Sequence, residues 1–64
     1  MIEDIVKWFG SKSNMARTLG VDRSAVTHWV NKGALPAYRA IQIESLTKGK
    51  FKAVDIMEVD NDVT

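Results

Sequence analysis

Apolar residues recur at helical spacing through most of this chain, and glycine or proline separates the segments in which they do so. The first segment, IEDIVKWFG, places four apolar side chains at the i, i+3, i+4 and i+7 positions of one helix face: Ile2, Ile5, Val6 and Phe9. Glu3 and Asp4 stand in its first turn, where the helix dipole favours negative charge. Because Gly10 follows directly and glycine commonly terminates helices, the pattern predicts a first helix that ends there.

A second, short helix is predicted before Gly20. Ser11 offers a side-chain oxygen that can accept a hydrogen bond from a free backbone N–H, so it is a suitable N-cap. The helix is expected to cover about residues 11–19. Its inward-facing residues are Met15, Ala16 and Leu19.

A third helix is predicted soon after Gly20. Asp22 is a good N-cap because its carboxylate can accept from the free N–H groups of the next turn. Val21 and Val26 then occupy the two positions of a hydrophobic staple. The helix is expected to run from residue 23 to about residue 32, where Gly33 closes it.

A fourth helix is predicted from Pro36 to near Gly49. Proline is well suited to the first helical position, where its missing N–H costs nothing. The predicted inner face is broad and consists of Ala37, Ala40, Ile41, Ile43 and Leu46. Residues 50–57 form either a short fifth helix or a short β element, and we favour the helix because a lone strand has no obvious partner in a chain that is otherwise helical.

Composition limits what this chain can be. With 64 residues it makes one domain at most, and without cysteine it has neither a disulfide framework nor a thiolate metal site. No apolar run approaches the roughly 20 residues of a membrane span, and no basic leader segment follows Met1. We therefore expect a cytoplasmic protein without a membrane partner.

The net charge of +1 conceals an asymmetry along the chain. Residues 1–54 hold all nine Lys and Arg residues and four acidic ones, which gives +5. Residues 55–64 hold four acidic residues and no basic one, which gives −4. A basic body with an acidic end is typical of a domain that binds a polyanion, although an ordinary solvated surface with a frayed end is about as consistent with charge alone.

The second and third helices have the spacing of a helix-turn-helix unit, in which the second helix enters the DNA major groove. Two helices that cross steeply need a small residue at the contact, and Ala16 lies there. The turn between them is costly for any residue with a Cβ, and Gly20 avoids that cost. The apolar residues expected to fill the space between the two helices are Leu19, Val21, Val26 and Trp29.

The run SKSNMARTLGVDRSAVTHW resembles the helix-turn-helix of the lambdoid phage repressors, with its early alanine, its glycine at the turn and its valine in the recognition helix. The flanking WFG and KGALPAYRAIQIESLTKG are similar to the small Cro repressors and their all-helical prophage relatives. The likeness covers about residues 2–57. The groove-facing positions lack the glutamines common in that family, so the resemblance does not extend to the operator sequence.

This resemblance implies an all-α, lambda-repressor-like domain of four to five helices over residues 1–57. Residues 58–64 are acidic, and from their composition and position we expect a disordered tail there. The resemblance also implies a transcriptional repressor in the cytoplasm of a bacterial host cell. Such repressors bind pseudo-palindromic double-stranded operators as homodimers, with one recognition helix in each half-site. The resemblance implies neither a cofactor nor a small-molecule ligand.

The polar face of the third helix supplies the predicted base contacts, which are Arg23, Ser24, Thr27 and His28. Arg23 stands at the leading end of the helix, and a guanidinium there can bridge the O6 and N7 acceptors of guanine. Thr27 offers a hydroxyl and also a methyl group that can contact thymine. His28 is the sole histidine, so we expect it to touch a base or a phosphate rather than a metal.

Phosphate contacts are predicted on both flanks of that face. The start of the second helix combines free backbone N–H groups with a basic side chain. The end of the third helix and the start of the fourth provide a further polar and basic set. The predicted residues are Ser11, Lys12, Asn14, Arg17, Asn31, Lys32, Tyr38 and Arg39.

Two other functions compete with DNA binding. An enzyme is disfavoured because the chain has no P-loop and no Ser/His/Asp arrangement within plausible reach, and the DND run at residues 60–62 is too near the last residue to complete a calcium loop. The alternative that stays open is a helical protein-interaction module, or an antitoxin-type regulator, that keeps the helix-turn-helix as a scaffold.

Overall fold

A computed structural model describes residues 1–58 of the chain. These residues form five helices and contain no extended strand: α1 (Ile2–Phe9), α2 (Lys12–Leu19), α3 (Arg23–Lys32), α4 (Ala37–Leu46) and α5 (Ala53–Ile56). The all-α prediction is therefore confirmed. The backbone divides into two compact units, Met1–Ala34 with α1 to α3 and a second that begins at Leu35 and holds α4 and α5.

The first unit packs its three helices through the apolar faces that the sequence predicts. α2 contacts α3, and α1 contacts both of them. Gly10 ends α1 with a φ of 105°, and its N–H donates to the carbonyl groups of the last turn. The buried apolar residues of this unit are Ile2, Ile5, Met15, Ala16, Leu19, Val26 and Trp29.

The second unit is closed by hydrogen bonds between residues far apart in the sequence. The N–H of Leu35 donates to the carbonyl of Ile56 at 2.8 Å, and the N–H of Glu58 donates to the carbonyl of Leu35 at 2.7 Å. These bonds form a single parallel bridge between Leu35 and Met57. Glu44 of α4 adds a link, because its carboxylate accepts from the N–H of Ala53 at 2.8 Å and so caps α5.

The bounds of α4 differ from the predicted ones. Pro36 was expected to be the first helical residue, but its ψ of 149° is extended, so the helix begins at Ala37. The helix also ends at Leu46 and not near Gly49. The reason lies in Lys48, whose φ of 54° is left-handed and turns the chain out of the helix.

The predicted inner face of α4 is wrong in part. Ala40 and Ile43 are fully buried, but Ala37 and Leu46 are exposed and 60% of Ile41 is accessible to solvent. The buried positions form a narrow stripe that continues to the buried Thr47. Within its unit α4 packs against a helix of only one turn, α5, which can cover a narrow stripe but not a broad face.

The fifth helix is confirmed, but it is shorter than the segment in which it was predicted. Helix covers only Ala53–Ile56, and Met57 takes part in the bridge with Leu35. Residues 50–57 therefore combine one helical turn with one β-type contact. The predicted disordered tail, apart from Glu58, lies outside the described residues, so it stays a prediction.

Candidate nucleic-acid interface

The start of α2 is fixed by Ser11, as the sequence predicts. Its backbone is extended, with a φ of −161° and a ψ of 166°, and its Oγ accepts a hydrogen bond from the N–H of Asn14 at 3.0 Å. This bond satisfies one of the N–H groups that a helix leaves free in its first turn. The remaining N–H groups of that turn make the start of α2 a favourable place for a phosphate oxygen.

The turn after α2 is a Schellman motif built on Gly20. The N–H of Val21 donates to the carbonyl of Ala16 at 2.9 Å, and the N–H of Gly20 donates to the carbonyl of Arg17 at 3.3 Å. This pairing requires a left-handed residue, and Gly20 has a φ of 76° and a ψ of 33°. The glycine therefore reverses the chain within a few residues, so that α3 starts close to the end of α2.

We expect Gly20→Ala to lower the free energy of unfolding by about 1 to 2 kcal/mol, measured by urea denaturation. Apart from Gly20 and its two chain neighbours, no heavy atom of the described residues lies within 4 Å of a Cβ built on Gly20, so the cost comes from the left-handed backbone and not from a clash. Gly20→Asn is the matched control, because asparagine tolerates this conformation better than alanine. An equal loss of stability in both variants would contradict this explanation.

The start of α3 corrects one detail of the prediction. Asp22 does occupy the N-cap position, with an extended backbone, but its carboxylate accepts no hydrogen bond from the first turn of α3. The backbone carbonyl of Asp22 accepts instead, from the N–H of Ala25 at 3.0 Å. Because the side chain is exposed, water can hydrate the carboxylate, so the helix start does not depend on it.

The four predicted base-contacting residues share one face of α3. Arg23, Ser24 and His28 are exposed, and Thr27 is half-buried on the same side. At about 100° per residue, these positions span about 140° of the helix surface, and Asn31 falls within the same arc. The opposite side carries Val26 and Trp29, which are 0% and 6% exposed. α3 therefore presents a continuous polar face, held in place by its buried side.

This face lies in a basic part of the sequence. Residues 11–33 carry four basic side chains and one acidic one, Asp22. The described residues contain no group of three His, Asp or Glu side chains placed to hold a metal ion, so nothing in residues 1–58 links His28 to a metal site. The charge and the hydrogen-bonding groups of the face suit a polyanion that also offers donors and acceptors, such as the major groove of DNA.

The predicted phosphate contacts of the first unit lie at two places. At the start of α2, Ser11 and Lys12 are half-buried and Asn14 is exposed. The Oδ1 of Asn14 accepts from Nη1 of Arg17 at 3.2 Å, which draws that guanidinium towards the same end of the helix. At the other place, the end of α3, the remaining candidates are exposed: Asn31 and Lys32.

The two candidates of the second unit differ in accessibility. Tyr38 is 66% exposed in the first turn of α4. Arg39 is half-buried, its guanidinium lies 4.9 Å from the centre of the Tyr38 ring, and its Nη1 donates to Oε1 of Gln42 at 2.8 Å. Tyr38 is therefore open to a partner, whereas Arg39 is held against its own helix.

Prediction from the sequence missed one exposed surface. Ile41 was assigned to the core, yet it is exposed beside Tyr38, one helical turn further along α4. No local signal marks it, because an apolar residue at helical spacing is read as buried.

Comparisons with known proteins identify the family. A model of the family described as the DNA-binding transcriptional regulator Cro matches residues 2–61. The regulatory protein cro of Pseudomonas phage D3 is 38% identical to this chain over 55 residues, which covers 84% of this chain and 75% of the relative. No solved structure gives a significant match.

The helix-turn-helix geometry, the polar face of α3 and these comparisons agree with one another. In addition, none of the helices within residues 1–58 has the length and apolar character that crossing a bilayer requires. The chain therefore belongs to the family of the DNA-binding transcriptional regulator Cro.

Proposed function

We propose that this Cro-type repressor reads its operator through α3, placed in the major groove of double-stranded DNA. The observation that carries this proposal is the exposed polar face of α3, which lies opposite two buried residues, Val26 and Trp29. A major groove is wide enough to admit an α-helix, and its base edges offer a distinct pattern of donors and acceptors. A face of one cation, two hydroxyl groups and one imidazole matches that pattern.

Within this face, Arg23 has the strongest predicted contact. It is the first residue of α3, and recognition helices reach base edges with their leading residues. Its planar guanidinium can donate two hydrogen bonds to one guanine. Ser24, Thr27 and His28 follow within the next two turns and are assigned to neighbouring base pairs.

Phosphate contacts are assigned to both flanks of α3. On one side, the start of α2 offers backbone N–H groups together with the basic side chain of Lys12. On the other side, Asn31 and Lys32 stand at the end of α3. Tyr38, which the sequence also assigns to phosphate, is exposed in the second unit. The remaining candidates for phosphate contact are Ser11, Asn14, Arg17 and Arg39. Contacts to phosphate fix the position of the helix without reading the sequence.

We assign residues 1–57 to one DNA-binding domain that acts as a homodimer on a pseudo-palindromic operator. One recognition helix reads too few base pairs to be selective, and two-fold symmetry doubles the number that is read. In helix-turn-helix dimers the two recognition helices stand about 34 Å apart, one turn of DNA. The protein so described is not an enzyme, requires no cofactor and works inside the bacterial host cell.

Selection of bound sites from random DNA, followed by a salt titration, tests this function. We expect selection to return a two-fold motif whose half-site centres are about 10 base pairs apart. A DNA reader that makes about 6 to 10 phosphate contacts loses about 10³- to 10⁵-fold in affinity between 50 and 200 mM salt. A shallow salt dependence without sequence preference would contradict the proposal and favour a protein-interaction module.

A further inference from the structure

The outer face of α4 is apolar or neutral and is exposed. It consists of Ala37, Tyr38, Ile41 and Ser45, which we call the α4 face. Tyr38 is 66% exposed and Ile41 is 60% exposed, although both are large side chains. None of the four is charged, in a chain where 27% of residues are. A strip of this kind on a helix of a small protein favours contact with another protein surface.

The spacing along the α4 face is symmetric about Ile41. Ala37 lies four residues before it and Ser45 four residues after it, so that each is one helical turn away. If two α4 helices pack antiparallel about a two-fold axis at Ile41, each Ile41 meets its own copy. Ala37 then lies beside Ser45 of the second copy, and these small side chains allow the helices to approach closely.

The same arrangement gives the polar atoms of the α4 face a role. Tyr38 and Ser45 lie on the same side of Ile41 around the helix, at opposite ends of the face. A two-fold axis therefore brings the hydroxyl of Tyr38 towards the hydroxyl of Ser45 in the second copy. Each hydroxyl can donate or accept a hydrogen bond, so the pair is satisfied without a buried charge. An interface between identical copies must be self-complementary in this way.

The charge of the α4 face distinguishes between the kinds of partner that could bind it. A nucleic acid requires cations, and none of the four residues of the α4 face is a cation. Only Tyr38, through its hydroxyl, is assigned to a phosphate, and the guanidinium beside its ring, that of Arg39, donates to Gln42. A strongly charged protein partner would likewise find no opposite charge, whereas a second copy of a neutral face meets no like-charge repulsion. The nearest charged side chains of the helix, Arg39 and Glu44, are half-buried and bonded to Gln42 and to the N–H of Ala53.

We propose that the α4 face is the surface through which two copies pair, with Ile41 at the two-fold axis. The proposal rests on the proposed DNA-binding function, which requires two recognition helices. A helix of 10 residues is about 15 Å long and about 10 Å wide, so one such pair buries far less than the roughly 1,200 Å² of a stable interface. The protein is therefore a monomer when free and pairs on the operator.

Ile41→Glu tests this pairing, because it places two carboxylates opposite each other at the axis. We expect the variant to bind a single half-site with unchanged affinity. On the full operator, the second copy should lose its cooperative advantage, which we expect to be at least tenfold in the unmodified protein. Gel mobility shift with half-site and full-site DNA measures both quantities, and sedimentation of the free proteins measures the state before binding.

A mixture of two variants provides a rescue that only a two-fold contact at residue 41 can give. Ile41→Lys alone should lose cooperativity as Ile41→Glu does, since like charges again meet. An equal mixture should recover it in part, because one copy then places a cation opposite the carboxylate of the other. Recovery also shows that both variants are folded, and urea denaturation of each confirms it independently.

Val54→Glu is the matched control, since Val54 is a 77% exposed apolar residue of the same unit outside the α4 face. It should keep full cooperativity. Cooperativity that survives Ile41→Glu, or that is abolished by Val54→Glu but not by Ile41→Glu, overturns the proposed pairing. So does an unmodified protein that binds half-sites tightly but without cooperativity. An unmodified protein that binds neither half-site nor full operator overturns the proposed function itself.

Discussion

Leu35→Ala is expected to lower the free energy of unfolding by about 2 to 5 kcal/mol. Leu35 is 0% exposed, so truncation of its side chain removes buried apolar surface and leaves a cavity. Small proteins have about 0.05 to 0.15 kcal/mol of stability per residue, so this loss is a large part of what 64 residues provide. Urea denaturation followed by circular dichroism measures it.

The size of this effect depends on burial and not on the loss of leucine as such. Leu46→Ala is the matched control, because Leu46 is 40% exposed and its truncation therefore removes less buried apolar surface. We expect it to cost about 1 kcal/mol. The backbone hydrogen bonds of Leu35 with Ile56 and Glu58 involve no side-chain atom, so they are retained in the variant. Similar losses in both variants would contradict the role given to Leu35.

The helix-turn-helix could be predicted because its determinants are local. Ser11 caps α2 through its own side chain, and Gly20 adopts the left-handed conformation that ends it. Each depends on residues within one or two turns, so residue type and spacing are sufficient. The bounds of α3 follow in the same way from the two glycines that flank it, Gly20 and Gly33, whose φ angles are positive.

Features that depend on distant residues could not be predicted. The bridge between Leu35 and Met57 joins two places far apart in the chain, and a single bridge leaves no repeating alternation in the sequence. The prediction of the buried face of α4 was wrong in part for a related reason. Periodicity shows which residues are apolar, but not whether a neighbouring element covers them, and Ile41 is left uncovered.

The candidate site was predictable to the same extent as the helix that carries it. Once α3 is placed, its buried residues Val26 and Trp29 determine which side chains remain exposed, and Arg23 is among them. The side chain of Asp22 shows what the sequence could not predict. Asp22 does occupy the N-cap position, but its expected side-chain hydrogen bond does not form. Hydrogen bonds of exposed side chains compete with water, so residue type alone does not determine them.

Arg23→Ala is expected to cost about 1 to 3 kcal/mol at one base pair in each half-site, or about 5- to 150-fold in discrimination there. The guanidinium at the leading end of α3 is exposed and can bond two acceptors of one guanine. Its removal should make the variant tolerant of any base at that position while the other positions stay selective. Site selection with the variant, compared with the unmodified protein, measures the change.

Lys12→Ala also removes one positive charge, but from a residue assigned to a phosphate contact. Comparison of the two variants therefore distinguishes base recognition by Arg23 from electrostatic attraction to the DNA backbone. Lys12→Ala should weaken binding to operator and to random DNA by the same factor and reduce the steepness of the salt dependence. Lys7→Ala, at the end of α1 and outside the proposed interface, is the control for the loss of one positive charge. If Arg23→Ala and Lys12→Ala change operator and random DNA binding alike, Arg23 touches phosphate, and base selection must then come from Ser24, Thr27 and His28.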